Sequence, residues 1–480
     1  MKLVASTLSV ILSLWACTCL PAQVPAPVSV PVIPAPQEVK MTDNPNKKNT
    51  DRRIRFQTDE TLPKEAYVLE IKKNRIVVRS SDEAGRFYAL QTLQQMEQAD
   101  ALYCGVIKDA PRYEWRGFML DEARHFFGKE QVKEILDLMA RYKLNRFHWH
   151  LSDDQGWRVE IKAYPELTKI GAVGDYTDAN AEAKYYTQDD IREIVAYAAQ
   201  RHIEVIPEID MPGHASAFNR TFPDLAFGSR TVNPENEKLY EVLNQIIKEL
   251  ADIFPGRYLH IGGDEVSGEG WKERQKGFEQ IHAENVRRAG KTPIVWDDAI
   301  DSDLDHETTI IHWWRADHPE SLQKSLENNY QTIISPWDPF YLDYIQDKNC
   351  KEGHLAWKQY VNGLDEIYNY ALPDDAHVIG IQANLWSERV ITRPRLHYML
   401  FPRLLALSEK AWTGTRSNSN DASGSRSLDA SGSRSLDASV SSSAYEDFLM
   451  RLETEFKYLD SQSIYYYDPR SFTRHPEPVR

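Results

Sequence analysis

From Trp115 onward, short apolar runs alternate with longer stretches in which apolar residues recur every three or four positions. The short runs are Arg116–Leu120, Arg146–Leu151, Ile203–Ile209, Tyr258–Ile261, Pro293–Trp296, Thr309–Trp314, Thr332–Ser335 and Val378–Leu385. They are too short for helices and predict eight strands. Between them, Val132, Ile135, Leu136 and Met139 share one helical face, as do Ile191, Ile194, Val195 and Ala198. Leu239 to Ile253 carries the same stripe through Val242, Leu243, Ile246, Ile247 and Leu250. Strands separated by helices pair in parallel, so eight repeats over about 300 residues predict an α/β chain closed as a (β/α)8 TIM barrel. An open, doubly wound sheet is the competing arrangement.

The flanks read differently. Tyr67–Ile71 and Arg75–Val78 predict two strands joined at Lys73-Asn74, and Asp82 to Met96 predicts a helix, giving a small α/β domain over 51–111 before a barrel over 112–415. Residues 23–50, rich in Pro, Asn and Lys, read as a linker. Lys2, the apolar stretch Leu8–Leu20 and Pro21-Ala22 have the form of an export signal over 1–22, which predicts a periplasmic or extracellular protein. Leu14-Trp15-Ala16-Cys17 resembles a lipoprotein box and leaves a lipid anchor at Cys17 open. No later run approaches the roughly 18 apolar residues of a bilayer span, so no transmembrane segment is expected. Residues 416–444 repeat Asp-Ala-Ser-Gly-Ser-Arg-Ser-Leu and predict a disordered loop, after which 445–480 form a helix and tail completing the barrel domain. Cys104 and Cys350, the cysteines beyond the signal, are compatible with a pair or with two free thiols.

The net charge of −15 argues against a nucleic-acid partner. Twelve Trp and 24 Tyr supply flat faces that suit sugar rings, though most such residues fill cores. In a barrel, chemistry gathers at the C-terminal ends of the strands. Polar and aromatic residues do stand after each predicted strand: Asp121 and Arg124, Asp153 and Asp154, Asp210 and His214, Asp264 and Glu265, Trp296, Trp314, Tyr341 and Asp343, then Trp386 and Glu388. The sharpest stretch is His260-Ile-Gly-Gly-Asp-Glu265. Its glycines remove side chains just before two adjacent acids, which lets a ligand approach the backbone. Two charged acids in one pocket repel, which raises one pKa and makes a protonated carboxyl available as a general acid. A solvated Asp-Glu pair on a loop is the plain alternative. Adjacent side chains diverge from a strand, so Asp264 and Glu265 are poorly placed to straddle one bond as acid and nucleophile.

Four blocks carry a family resemblance. Arg116-Gly-Phe-Met-Leu-Asp-Glu-Ala-Arg-His, His148-Trp-His-Leu-Ser-Asp-Asp-Gln-Gly-Trp-Arg, Glu208-Ile-Asp-Met-Pro-Gly-His and His260-Ile-Gly-Gly-Asp-Glu resemble, in order, those of the family 20 glycoside hydrolases, the β-N-acetylhexosaminidases. The resemblance runs from about Ile33 to Pro469. It implies removal of terminal β-linked N-acetylhexosamine from a glycan, with retention, by a route in which the substrate's acetamido oxygen attacks. It further implies Glu265 as general acid and base, and Asp264 as the group that orients and stabilises the acetamide. Asp153 and His214 would support the acid, with Asp154 the neighbour whose role is easily confused with that of Asp153. Arg124 would grip ring hydroxyls, Trp296, Trp314 and Trp386 would box the sugar, Tyr341 would hold the acetamide carbonyl, and Asp343 and Glu388 would accept from outer hydroxyls. Each has a plainer alternative: a strand-end ion pair with Asp121 for Arg124, a loop histidine for His214, a core residue for each Trp, and surface carboxylates for Asp343 and Glu388.

The resemblance implies no cofactor and no metal, and the sequence assigns no oligomeric state. Three departures stand out. The N-terminal unit is shorter than the family's usual accessory domain, the segment from Glu265 to Trp296 is compact enough to predict a trimmed helix, and Asp298 stands where a Glu is common. Two other functions compete. His148, His150, His214, His260 and Asp264 could ligate zinc in an amidohydrolase, which predicts loss of activity to a chelator. A glycan-binding protein without catalysis would be silent towards an activated aryl N-acetyl-β-glucosaminide.

Overall fold

The computed structural model describes residues 30–45, 53–266, 270–350, 361–414, 441–471 and 473–478. The export signal expected over 1–22 and most of the 416–444 insertion lie outside them. Eight parallel strands close into a barrel: Trp115–Asp121, Arg146–His150, Glu204–Glu208, Tyr258–His260, Thr292–Trp296, Ile310–Trp313, Gln331–Ile334 and Val378–Leu385. Closure is direct. The eighth strand pairs in parallel with the first, Gly380 to Leu385 against Trp115 to Leu120, which excludes the open sheet.

The strands form where they do because they are buried on both faces. Outward residues such as Phe118, Leu120, Phe147 and Trp149 pack on the helix stripes read from the sequence, including Val132, Ile135, Leu136 and Met139 of Lys129–Arg141. Inside the barrel, Trp115, Ile206, Tyr258, Ile294, Ile310 and Ile333 form a separate apolar plug. Trp115, Tyr258 and Ile310 open their strands, so the plug closes the N-terminal end and directs polar groups to the other. The predicted trimming does not occur, since Trp271–Arg288 is a full helix of 18 residues after the fourth strand.

The N-terminal domain is larger than expected. Its five-stranded sheet runs Glu38–Pro45, Tyr103–Asp109, Tyr67–Lys72, Arg75–Ser80, Arg53–Thr58, with the helix Glu83–Gln98 against it. The first strand lies inside the segment expected as a linker over 23–50. Val39 and Met41 alternate there with Glu38, Lys40 and Thr42, a short period-2 signal masked by the surrounding Pro, Asn and Lys. Val32, Ile33 and Ala35 are buried as well, and the Ile33 N–H is donated to Gln95. Likewise the C-terminal helix Ser441–Ser461 begins within the expected loop 416–444. Its Phe448, Leu452, Phe456 and Leu459 are buried in the main core. Cys104 and Cys350 are both free, and no helix among the described residues is long and apolar enough to cross a membrane.

Buried ion pairs lock these parts together. Arg451 of the C-terminal helix grips Glu409 of Arg403–Thr413 with both terminal nitrogens at 2.6 Å, and Glu409 also accepts the Ala35 N–H at 3.0 Å. A buried pair is costly to break on one side because the survivor keeps its charge. Glu409→Ala should therefore lower stability by about 3–5 kcal/mol, and the double change Glu409→Leu with Arg451→Met should cost less. Denaturant midpoints measure both; a larger loss in the double variant would contradict the clamp.

Candidate active site

The strand ends meet around a buried chain of alternating acids and imidazoles. Strand alternation puts His148 and His150 on the inner face of the second strand, beside Glu208 at the end of the third. Glu208 Oε2 lies 2.5 Å from His150 Nδ1 and 3.0 Å from His148 Nε2, and Oε1 lies 3.1 Å from His260 Nδ1 and accepts the Trp296 indole N–H at 2.8 Å. His150 Nε2 lies 3.0 Å from Asp153 Oδ2, which also receives Arg124 Nη2 at 2.8 Å. Asp153 Oδ1 lies 3.2 Å from His214 Nδ1. His214 Nε2 ends the chain, 3.4 Å from Glu265 Oε2 and 3.8 Å from Asp264 Oδ2.

Ionisation along the chain follows from who faces whom. Burial alone would keep Glu208 neutral, but His150, His260 and His148 outweigh it and hold the carboxyl well below its ordinary pKa. Burial opposes charge on His150 too, and Glu208 with Asp153 lifts it well above the imidazole value. Asp153 is held low by Arg124 and His214 against the cost of burial, and His214 is raised by Asp153 and Asp264 against the same cost.

The two acids after the fourth strand then part company. Glu265, its side chain 54% exposed, is lowered chiefly by its hydrogen bond with His214. Asp264 is 7% exposed; burial raises it to about 7, with His214 opposing and the Asp298 and Glu265 charges adding. One acid is raised, as expected, but it is Asp264 and not Glu265, and burial outweighs the expected repulsion between the two as its cause, while Glu265 is held down by His214. The local backbone makes this geometry. Gly262 has φ +75° and a Cβ there would overlap the Asp210 carboxyl, Gly263 has φ +102°, and Glu265 itself sits at φ +46°. Asp210, fully buried beneath this turn, is pushed well up by burial and by the Asp264 charge.

Around the acids stand the other predicted residues. Arg124 is held by Asp153, by Asp121 at 3.4 Å and by Glu388 at 4.0 Å, so the plain strand-end pair with Asp121 is one of three contacts. Its guanidinium lies 4.8 Å from the Trp386 ring. Tyr341 stacks on Trp314 at 6.2 Å and 16° and lies 6.0 Å from Trp386. Asp343 is buried beside Glu388, and burial followed by the Glu388 charge pushes it up. Trp296 lies lower than the others. It is 1% exposed, stacks on His312 at 4.2 Å and forms the floor rather than a wall. Asp154 is separate from Asp153: it accepts from Ser216 and pairs with Arg230. Asp298 accepts the Trp314 indole N–H at 2.8 Å and is raised to about 6 by burial.

Glu208 belongs to this assembly, although the sequence gave it no role, as do His150, read there only as a candidate zinc ligand, and Asp210, read only as a rim residue. For Glu208 and His150 the signal was an acid and, with His148, two histidines at inward positions near the C-terminal ends of two strands. Glu279 gave less warning: it lies on Trp271–Arg288, fully buried, and burial pushes it well up, with the Asp264 and Asp298 charges adding. Among the described residues, four clusters have ligand atoms within 4.8 Å of one another: His148/His260/His312, His150/Asp153/Asp210, Asp153/Asp154/His214 and Asp210/His214/Asp264. The donors of the first are turned on one another and on Glu208 and Gln382, with His260 Nε2 3.2 Å from His312 Nδ1 and His148 Nδ1 3.0 Å from Gln382 Nε2.

Known proteins resemble this one over most of its length. The pattern described as glycosyl hydrolase family 20, catalytic domain, matches residues 113–415, and that family's domain 2 matches 36–110. A β-hexosaminidase of Porphyromonas gingivalis is 36% identical over 402 residues, 73% of this chain and 51% of the relative, so the chain spans about half that protein's length. A β-hexosaminidase of Akkermansia muciniphila is 30% identical over 447 residues, covering 83% of this chain and 89% of the relative. The solved structure of a Streptomyces plicatus β-hexosaminidase variant in complex with product GlcNAc superposes with a TM-score of 0.79 at 28% identity, covering 93% of this chain and 98% of that one.

The raised Asp264 has a thermodynamic consequence. Its pKa is 3.8 unfolded and about 7 folded, so the native state binds more protons between those values and stability falls as pH rises through them. Asp264→Asn removes the penalty. The variant should be more stable than the parent by on the order of 2–4 kcal/mol above pH 7, with the gain gone near pH 4. Thermal unfolding across pH measures this, and a gain independent of pH would contradict it.

Proposed function

The chain belongs to glycosyl hydrolase family 20, and from that membership we propose that it is a β-N-acetylhexosaminidase that removes terminal, non-reducing β-linked GlcNAc or GalNAc from glycans. The reaction proceeds with retention, assisted by the substrate. The acetamido oxygen attacks C1 while the bond to the leaving oxygen breaks, and Glu265 gives that oxygen its proton. The oxazolinium so formed is opened by water, whose proton returns to Glu265, and two inversions at C1 restore the configuration. We further propose that the chain is exported and acts on periplasmic or extracellular glycans, a reading that the apolar Leu8–Leu20 supports.

One observation carries the reading: of two neighbouring acids, one is half-exposed at a cleft while the other is sealed below it, and a single imidazole faces both. That division suits two roles. Glu265 reaches a leaving group, and Asp264 meets the acetamide N–H. An arriving sugar would strip water from Glu265, which raises its pKa, while its N–H donates to Asp264 and lowers that one. The proton held on Asp264 in the free enzyme is then wanted on Glu265, with His214 between them. Tyr341, beside Trp314 and Trp386, suits the acetamide carbonyl, and Arg124 with Glu388 and Asp343 suits the outer hydroxyls.

Glu265→Gln should lower kcat on a β-linked N-acetylglucosaminyl disaccharide by about a thousandfold with binding retained, since general acid catalysis contributes roughly 10²–10⁴. The loss should be smaller on an aryl glycoside whose leaving group needs little protonation. Undiminished turnover of the disaccharide would remove the assignment.

A further inference from the structure

The N-terminal sheet turns one face away from the barrel. Its helix Glu83–Gln98 lies between the two: Tyr88 meets Trp412 of Arg403–Thr413 at 5.1 Å, and Phe87 meets His202 at 5.2 Å. Strand alternation sorts the sheet residues. Leu69, Ile71, Ile76, Val78 and Ile107 are buried with Tyr88, Leu93 and Met96 of the helix, so their neighbours along each strand point the other way. On that outer face the register sets Lys72 opposite Arg75, Lys108 opposite Val68 and Val68 opposite Arg79. Lys40 stands opposite Val106, and Arg55 opposite Val77.

Six cations, Lys40, Arg55, Lys72, Arg75, Arg79 and Lys108, thus share one surface with two acids, Glu38 and Glu70, although the whole chain carries a net charge of −15. Arg79 is half-buried and the other five cations are exposed. Both acids are already taken. Glu38 pairs with Lys40 and with Lys108 at 3.3 Å, and Glu70 pairs with Lys72 at 2.7 Å. Arg55, Arg75 and Arg79 form no ion pair among the described residues. Val68 and Val77 are buried on this face because long side chains surround them: Lys108, Arg79 and Glu70 beside the first, Glu70, Arg55, Arg75 and Arg79 beside the second. Lys and Arg stems cover apolar surface and keep their charged ends in water. The cations are thereby laid out over a level floor.

Positive charge gathered on one surface draws a polyanion, and the side chains present narrow which one. Among the described residues, the outward positions of the five strands hold no aromatic side chain. Bases have nothing there to stack on, and a bilayer has no apolar side chain to take up. A level five-stranded surface also offers no helix or two-stranded ribbon to enter a duplex groove. We infer that this face is a docking surface for an anionic polysaccharide, whose sulfate or carboxylate groups meet Arg55, Arg75 and Arg79 and, beside them, Lys72 and Lys108. The planar fork of an arginine pairs with two oxygens of such a group at once. Each contact is water-exposed and weak, so retention comes from several along one chain. On the proposed hydrolase reading the same chain would present its ends to the barrel; the docking itself does not depend on that reading.

The test measures binding of the full chain to dextran sulfate, with neutral dextran beside it, by isothermal titration calorimetry. The parent should bind the sulfated polymer and not the neutral one, and binding should weaken at least about tenfold between about 50 and 200 mM salt. The triple variant Arg55→Glu, Arg75→Glu and Arg79→Glu should lose about tenfold or more in affinity. Lys162→Glu, Lys169→Glu and Lys248→Glu together, an equal change of charge at exposed positions of the barrel domain, should lose less than about threefold. The milder pair Arg55→Gln and Arg75→Gln should lose about threefold or more, and denaturant midpoints report the fold of every variant. A parent that does not bind dextran sulfate, or equal losses in the two triple variants, would overturn the inference. So would tighter binding to phosphatidylglycerol vesicles or to duplex DNA than to dextran sulfate. Failure of the parent to hydrolyse an aryl N-acetyl-β-glucosaminide would contradict the hydrolase reading alone, since the binding arms decide the docking.

Discussion

A carboxylate sealed inside the barrel, Glu208, must be neutralised by its neighbours, and the way this happens sets the charge of the groups above it. Three imidazoles and one indole N–H converge on it. An isolated buried charge costs several kcal/mol, so these contacts hold the strand ends in one arrangement. His150, charged by Glu208, orders Asp153, and Asp153 orders both Arg124 and His214. The chain ends at a half-exposed acid. The apolar plug at the other end of the barrel leaves the polar network one direction in which to meet solvent.

The same network explains why two acids adjacent in sequence differ in ionisation. His214 is shared unequally and sits closer to Glu265, while Asp264 faces Asp298 and lies above Asp210. Glycines at 262 and 263 allow the backbone to turn there, and the left-handed Glu265 sends its side chain towards the cleft instead of the core. The fold accepts a destabilising buried acid at Asp264 because the proposed reaction needs a carboxylate that is dry until substrate arrives.

Much of this was legible in the chain. Eight apolar runs with intervening helical stripes define a barrel because burial on both faces imposes continuous apolar strands. The rim residues follow from that topology, since each stands just past a strand end. What periodicity hid was context-dependent. Glu38–Pro45 is a strand because it finds an edge at Tyr103–Asp109, a partner far along the chain. The unequal ionisation of Asp264 and Glu265 was also out of reach, since it depends on a few ångströms of difference in their distance from solvent and from His214.

The most direct test of this account is a ¹³C NMR titration of the carboxyl groups of Asp264 and Glu265, assigned with Asp264→Asn and Glu265→Gln. In the free enzyme Asp264 should titrate near 7 and Glu265 below its ordinary value of 4.5. With an N-acetyl-derived thiazoline bound in the place of the cyclic intermediate, Asp264 should be ionised and Glu265 protonated at neutral pH. A free enzyme in which Glu265 titrates near neutrality while Asp264 stays ionised would contradict it.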